Sequence, residues 1–155
     1  IYSLGWMVGG GRGFVPLRVV IYALAGVAVF LNTTLPDMEG DAETGKITFG
    51  VRYGVKKTVV WAFVLEIFAV GLAFWFRDWL LFIPGLVVLP FFLMSAAKQT
   101  MVEVLRATKF SVLALAAAVC VVFPWYLLPV FGVFFFSKWY YRKRFDFEYP
   151  SFRSS

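Results

Sequence analysis

Five long apolar runs set the limits of what this chain can fold into. They cover roughly residues 16–32, 55–76, 79–97, 104–123 and 125–141 of the 155-residue sequence. A helix needs about 20 predominantly apolar residues to cross a hydrocarbon layer ~30 Å thick. The runs are continuous rather than alternating, so they do not read as the strands of a membrane barrel. The other way to satisfy every backbone N–H and C=O inside a bilayer is the helix. The expected fold is therefore all-α, a polytopic transmembrane helical bundle with about five spans. Composition agrees, with 61% hydrophobic residues and a mean hydropathy of +0.81, far above a soluble domain. The fourth run is short when counted from Phe110. Begun near Val104 it can cross, with Arg106 and Lys109 snorkelling to the interface. Pro90 is expected to kink the third span, because it lacks a backbone donor and its ring clashes with the preceding turn. Pro124 and Pro129 bracket a break between the last two runs.

The charges orient the runs. Lys46, Arg52, Lys56 and Lys57 follow the first run, and Lys98, Arg106 and Lys109 follow the third. Lys138, Arg142, Lys143, Arg144 and Arg153 follow the fifth, while the intervening turns hold only Arg77. The positive-inside rule then places the loop at residues 34–54, the loop after the third span and the C-terminus in the cytoplasm. Trp75, Trp79 and Trp125 fall near the opposite face, as an interfacial belt would. The net charge of +6 reads as this bias plus affinity for anionic headgroups, so membrane lipids are expected partners and nucleic acid is not. The sequence has no histidine, which excludes Ser-His-Asp hydrolysis and most zinc or haem sites. Cys120 stands alone in an apolar run and reads as a packing residue. No stretch reads as a secretory signal peptide. Ile1 to Gly9 reads as the end of a preceding helix, and Gly9 to Gly13 as a linker before a helix start at Pro16.

Between the first two runs lies the one dense polar motif, with four acids at Asp37, Glu39, Asp41 and Glu43. On a helix the i, i+4 spacing of Asp37 and Asp41 puts both carboxylates on one face, about 5–6 Å apart at Cβ. Two carboxylates so placed repel each other and call for a cation. Hard oxygen ligands suit Mg²⁺, which is commonly held by one or two carboxylates plus substrate phosphates. Lys46 and Arg52 follow as candidate phosphate partners. At the mouth of a membrane bundle such a site suggests a substrate with a lipid tail and a pyrophosphate head. Gly40 to Lys46 also has the G-x-x-x-x-G-K spacing of a phosphate loop. Ile47 stands where that loop needs Ser or Thr, two acids lie inside it, and no strand precedes it. A solvated acidic loop that merely caps helix ends is the plainer alternative.

The segment Asp37-Met-Glu-Gly-Asp41-Ala-Glu-Thr-Gly45-Lys46-Ile-Thr48-Phe-Gly-Val51-Arg52-Tyr-Gly54 resembles the second aspartate-rich motif of the UbiA superfamily of intramembrane prenyltransferases. That pattern is Asp-x-x-x-Asp, then Gly-basic-x-Thr, then a Val-x-x-Gly start to the next helix. The resemblance implies transfer of a polyprenyl group from prenyl pyrophosphate to an electron-rich acceptor, aromatic or lipid, by way of an allylic carbocation. It implies Asp37 and Asp41 as catalytic Mg²⁺ ligands, with Lys46 and Arg52 neutralising the pyrophosphate. Members often carry an acid three residues before the first Asp, where Thr34 stands here. The family's first motif, of Asn-Asp-x-x-Asp type, is not in the sequence, and nine spans are usual. Residues 1–155 are thus expected to be the C-terminal part of such an enzyme. The expected partner is the N-terminal half or another membrane subunit that carries the first motif. The other class of function is a non-catalytic membrane subunit that retains the motif for assembly or lipid binding.

Glu66 sits in the middle of the second run. An intramembrane carboxyl is a functional candidate by default. The expectation is that it touches the acceptor or takes up its proton, against the alternative of a paired Glu facing the bundle interior.

Overall fold

The computed structural model of the protein describes residues 18–145, apart from the side chain of Arg18. Within them α1 spans Arg18–Thr33, α2 Met38–Glu43, α3 Phe49–Trp75, α4 Trp79–Lys98 and α5 Met101–Val122. A 3-10 turn at Pro124–Tyr126 leads into α6, Leu127–Phe145. The described residues contain no strand, and the fold is all-α. The expectations for Ile1 to Gly9, for Gly9 to Gly13, for the helix start at Pro16 and for Arg153 lie outside the described residues.

Helices α3, α4 and α5 are long and apolar enough to cross a membrane. The fourth run, short when counted from Phe110, is a full 22-residue helix because it starts at Met101, well before its first apolar stretch. The other two expected spans are not in that set among the described residues. The described part of α1 is an apolar helix of 16 residues. Helix α6 has 19 residues, but its last turns carry Lys138, Arg142, Lys143 and Arg144, and none of its residues is buried. Helix α4 runs on from Trp79 to Lys98 with both Pro84 and Pro90 inside it. Non-helical backbone falls at Gly54 in α3, where φ is +77° and ψ is 169°. That conformation is essentially confined to glycine. It leaves residues 55–75 as the straight part of α3, about 31 Å long at 1.5 Å per residue, which matches the hydrocarbon thickness.

Helices α1, α3, α4 and α5 form a ring, packed α1 on α3, α3 on α4, α4 on α5 and, more thinly, α5 on α1. Small side chains let the backbones approach. Ala28, Ala62 and Ala107 are fully buried with Leu31, Val88 and Phe92 at mid-bundle. Within lipid, where burying apolar surface gains little, such close contact is what holds helices together. The tightest point is Gly85 of α4, where a Cβ would stand 2.8 Å from Val70 Cγ2 of α3. Ile21, Ala73 and Leu81 close one end of the bundle, and Leu35, Val59 and Val104 close the other. At the first end the Tyr22 hydroxyl donates to both oxygens of Asp78 at 3.1 Å. Asp78 in turn accepts from Leu81 N, capping α4. The turn between α3 and α4 is thereby tied to α1.

Candidate functional site

The acidic turn is fixed by apolar anchors beneath it. At the end of α1, Thr33 and Thr34 donate their hydroxyls to the carbonyls of Phe30 and Leu31 at 2.7 and 2.8 Å. These bonds satisfy carbonyls that the last helical turn leaves open. Leu35, 1% exposed, then packs with Val59 and Val104, and Met38 joins the same cluster. Gly50 allows this close packing, since a Cβ there would stand 3.1 Å from Leu35 Cδ2. With Leu35 and Met38 held inward, Asp37, Glu39 and Glu43 face outward and are exposed.

Helix α2 ends in a Schellman motif. Gly45 takes φ +73°, its N–H donates to Ala42 O at 3.1 Å, and Lys46 N–H donates to Asp41 O at 2.8 Å. Thr44 adds a hydroxyl bond back to Gly40 O. Thr48 then starts α3 by accepting from Val51 N at 3.3 Å. The Gly-Lys-Ile-Thr order is thus a helix stop and a helix start. The same geometry disposes of the phosphate-loop reading, because Gly40 to Lys46 is a helical turn and its cap.

Reversal at Gly45 brings Lys46 back over the turn. Its Nζ lies 3.1 Å from Asp41 Oδ1. Asp37 and Asp41 stand one turn apart, with Asp41 N–H donating to Asp37 O at 2.8 Å. Arg52 is not drawn into this pair. It is exposed in the first turn of α3, its guanidinium 5.5 Å from the Tyr53 ring centre, and Lys57 Nζ lies 5.9 Å from the same ring. Tyr53 and Lys57 belong to a groove of about 660 Å³ lined also by Phe49, Trp61, Leu65 and, from α1, Val27 and Leu31. The α3 residues recur every four positions, so they form one stripe that descends from the acidic turn.

The donor set suits Mg²⁺ in kind, with two hard carboxylates, one of them open to solvent. It does not suffice in number. Among the described residues no group of three or more acidic or cysteine side chains gathers where a metal could be held. The residues fit half a site, to be completed by phosphate oxygens and water.

Glu66 lies apart from these groups. Eleven residues of helix, about 16 Å, separate it from the start of the straight part of α3 at Val55. It is 3% exposed and lines a different cavity, between α1, α3, α4 and α5. Sequence reasoning missed two features. One is the groove, whose stripe was visible as Phe49, Tyr53, Lys57, Trp61 and Leu65 at i+4 spacing. The other is Glu103, a buried acid whose Oε1 accepts from Lys98 Nζ at 3.0 Å and Arg106 Nη1 at 3.1 Å. It ties the end of α4 to the start of α5, and the sequence signal was an acid flanked by two bases within eight residues.

Comparison with protein-family models, with curated proteins and with solved structures found no match for this chain.

Proposed function

We propose that this chain is the C-terminal part of a UbiA-type prenyltransferase that binds prenyl pyrophosphate at the acidic turn, on the cytoplasmic side of the membrane. The observation that carries the reading is a juxtaposition at one end of the bundle. The carboxylates of Asp37 and Asp41, the first of them open to solvent, and the cations Lys46 and Arg52 stand at the top of a largely apolar groove. That is the order of parts in the substrate: charged head, then long hydrocarbon. The groove volume is within the usual range for a ligand site, about 300–1,000 Å³.

Each residue has a distinct task in this reading. Asp37 and Asp41 hold Mg²⁺, which when bound neutralises charge on the departing pyrophosphate. Lys46 leaves Asp41 for a phosphate oxygen at small cost, since an exposed ion pair is worth about 0–1 kcal/mol. Arg52 offers a planar fork that can take two phosphate oxygens at once. Tyr53 and Trp61 flank the first isoprene units and present ring faces to positive charge that develops there.

That no three of the four acids at the turn gather where a metal could be held favours a second, related reading. The chain is a half-enzyme, active when a partner supplies the Asn-Asp-x-x-Asp cluster. The test is Mg²⁺-dependent transfer of a labelled prenyl group to an aromatic acceptor, with and without a co-expressed chain carrying that cluster. Transfer is expected in the combined sample and is expected to vanish in Asp37→Asn and in Asp41→Asn. Near-normal transfer by both variants contradicts the assignment.

A further inference from the structure

Glu66 is one of five buried polar residues among the described residues of the bundle, with Asn32, Thr58, Ser95 and Glu103, and it lines a cavity which the acidic turn does not explain. Glu66 is 3% exposed, and its Oε2 is buried without a hydrogen-bond partner. A buried polar atom left unpaired costs about 1–3 kcal/mol. The sequence tolerates this carboxyl where an apolar residue would pack. Gly85 of α4 lies beside it, a Cβ there standing in van der Waals contact, 3.5 Å from Glu66 Oε1.

The cavity holds about 250 Å³ and has Glu66 and Ser111 as polar groups in an otherwise largely apolar wall. The Ser111 hydroxyl already donates to Ala107 O at 2.7 Å, so it offers only lone pairs. Gly26 of α1 and Val112 and Leu115 of α5 also line the cavity, and all three are exposed. They mark a mouth on the thin side of the ring, where α1 meets α5. In a spanning bundle that mouth faces hydrocarbon, and Glu66 lies at its base.

We propose that this cavity binds a membrane-dissolved compound with an apolar body and a single hydroxyl, the hydroxyl hydrogen-bonding to the Glu66 carboxyl, which lines the cavity. The carboxyl asks for one polar partner. The apolar walls and the lipid-facing mouth ask for a ligand that partitions into hydrocarbon. An ammonium would bring three N–H donors to two acceptors and would cross the hydrocarbon as a charge. The volume suits one ring or a short chain in the cavity, with any longer tail left among the lipids. The site makes no use of the acidic turn and does not depend on its assignment.

The test uses the full chain in lipid nanodiscs, without Mg²⁺ or pyrophosphate, and a diazirine-bearing octanol as probe. Mass spectrometry should find saturable labelling at Gly26, Val112 or Leu115, competed by octanol and by 4-hexylphenol and much less by octane. Glu66→Leu should weaken half-saturation about fivefold or more, the effect of losing one hydrogen bond. Gly26→Leu provides an independent variant, because Gly26 lines the cavity and a Cβ there meets nothing within 4 Å, so the longer side chain is expected to narrow the mouth. It should abolish the labelling. Labelling that does not saturate, that survives both variants, or that octane or octylamine competes as well as octanol, overturns the proposal.

Discussion

The acidic turn and the Glu66 cavity are both polar places in an apolar bundle, and they are built in opposite ways. At the turn, most of what sets the geometry lies within about twenty residues of chain, with Val59 and Val104 added only as the surface on which Leu35 packs. Thr34 ends one helix, Leu35 and Met38 anchor the loop, Gly45 reverses it, and Thr48 starts the next helix. Asp37, Glu39 and Glu43 end up in solvent, where charge costs little, and Asp41 is paired with Lys46. At Glu66 the surroundings come from four helices: Gly26, Gly85 and Ser111 reach it from α1, α4 and α5. The carboxyl is enclosed, where a single unmade hydrogen bond matters. Local chemistry produces an open, charged site suited to a phosphate head. Tertiary packing produces a closed site suited to a ligand with one polar atom.

The largest effect expected from altering this arrangement is at the cations of the turn. If Lys46 and Arg52 contact pyrophosphate, the double variant Lys46→Gln, Arg52→Gln loses charge-assisted bonds worth about 1.5–3 kcal/mol each. Transfer by the combined enzyme should fall about tenfold to a hundredfold for each, read as kcat/KM for prenyl pyrophosphate. An unchanged kcat/KM in a correctly inserted variant would reduce both residues to topology signals.

A smaller effect is expected where α3 and α4 touch. Gly85→Ala drives a methyl to 2.8 Å from Val70 Cγ2. Valine is stiff at χ1, so the backbones have to part. The expected loss is about 1–3 kcal/mol, the usual range for overpacking, seen as a lower Tm in detergent. Amide exchange at the acidic turn should not change, because the two regions are built independently. A parallel loss of protection at Lys46 would show that they are coupled.

The smallest effect expected is at the helix stop. Gly45→Ala has open space for its Cβ but must hold φ near +73°. A left-handed residue other than glycine costs about 1–2 kcal/mol. The Lys46 amide, which donates to Asp41 O, should exchange about 5–30 times faster. Unaltered exchange would mean that the apolar anchors alone hold the turn.

This contrast also explains how much could be read from the sequence. Helix content and the membrane-spanning character of α3, α4 and α5 follow from hydropathy summed over long windows, and both could be read in advance. The acidic turn was legible because its parts are sequential. Glu66 was legible as an anomaly, a carboxyl in an apolar run, but its cavity was not. Nothing local marks Gly26 as a mouth or Gly85 as the place where α4 meets Val70 of α3, since each glycine acquires its meaning from another helix. The break in α3 was half legible. Gly54 stands at the expected start of the second span, but a φ of +77° is a property of the folded backbone. Residues 125–141 read as one run in the sequence, whereas the folded helix α6 starts at Leu127 after a 3-10 turn and ends in Arg142, Lys143 and Arg144, so as a helix it is not in the set apolar enough to cross. The ion pairs of Glu103 were missed because attention to positive charge treated Lys98 and Arg106 as topology signals and passed over the acid between them.

The central claim is that Asp37 and Asp41 hold a metal against a pyrophosphate. The most direct measurement is equilibrium binding of a labelled prenyl pyrophosphate to the chain in nanodiscs, titrated with and without Mg²⁺, for the parent, Asp37→Asn and Asp41→Asn. This needs no turnover and hence no partner motif. The account predicts binding that requires Mg²⁺ in the parent and loses that requirement, together with most of its affinity, in both variants. Binding of equal strength without Mg²⁺, or with both aspartates replaced, would contradict it.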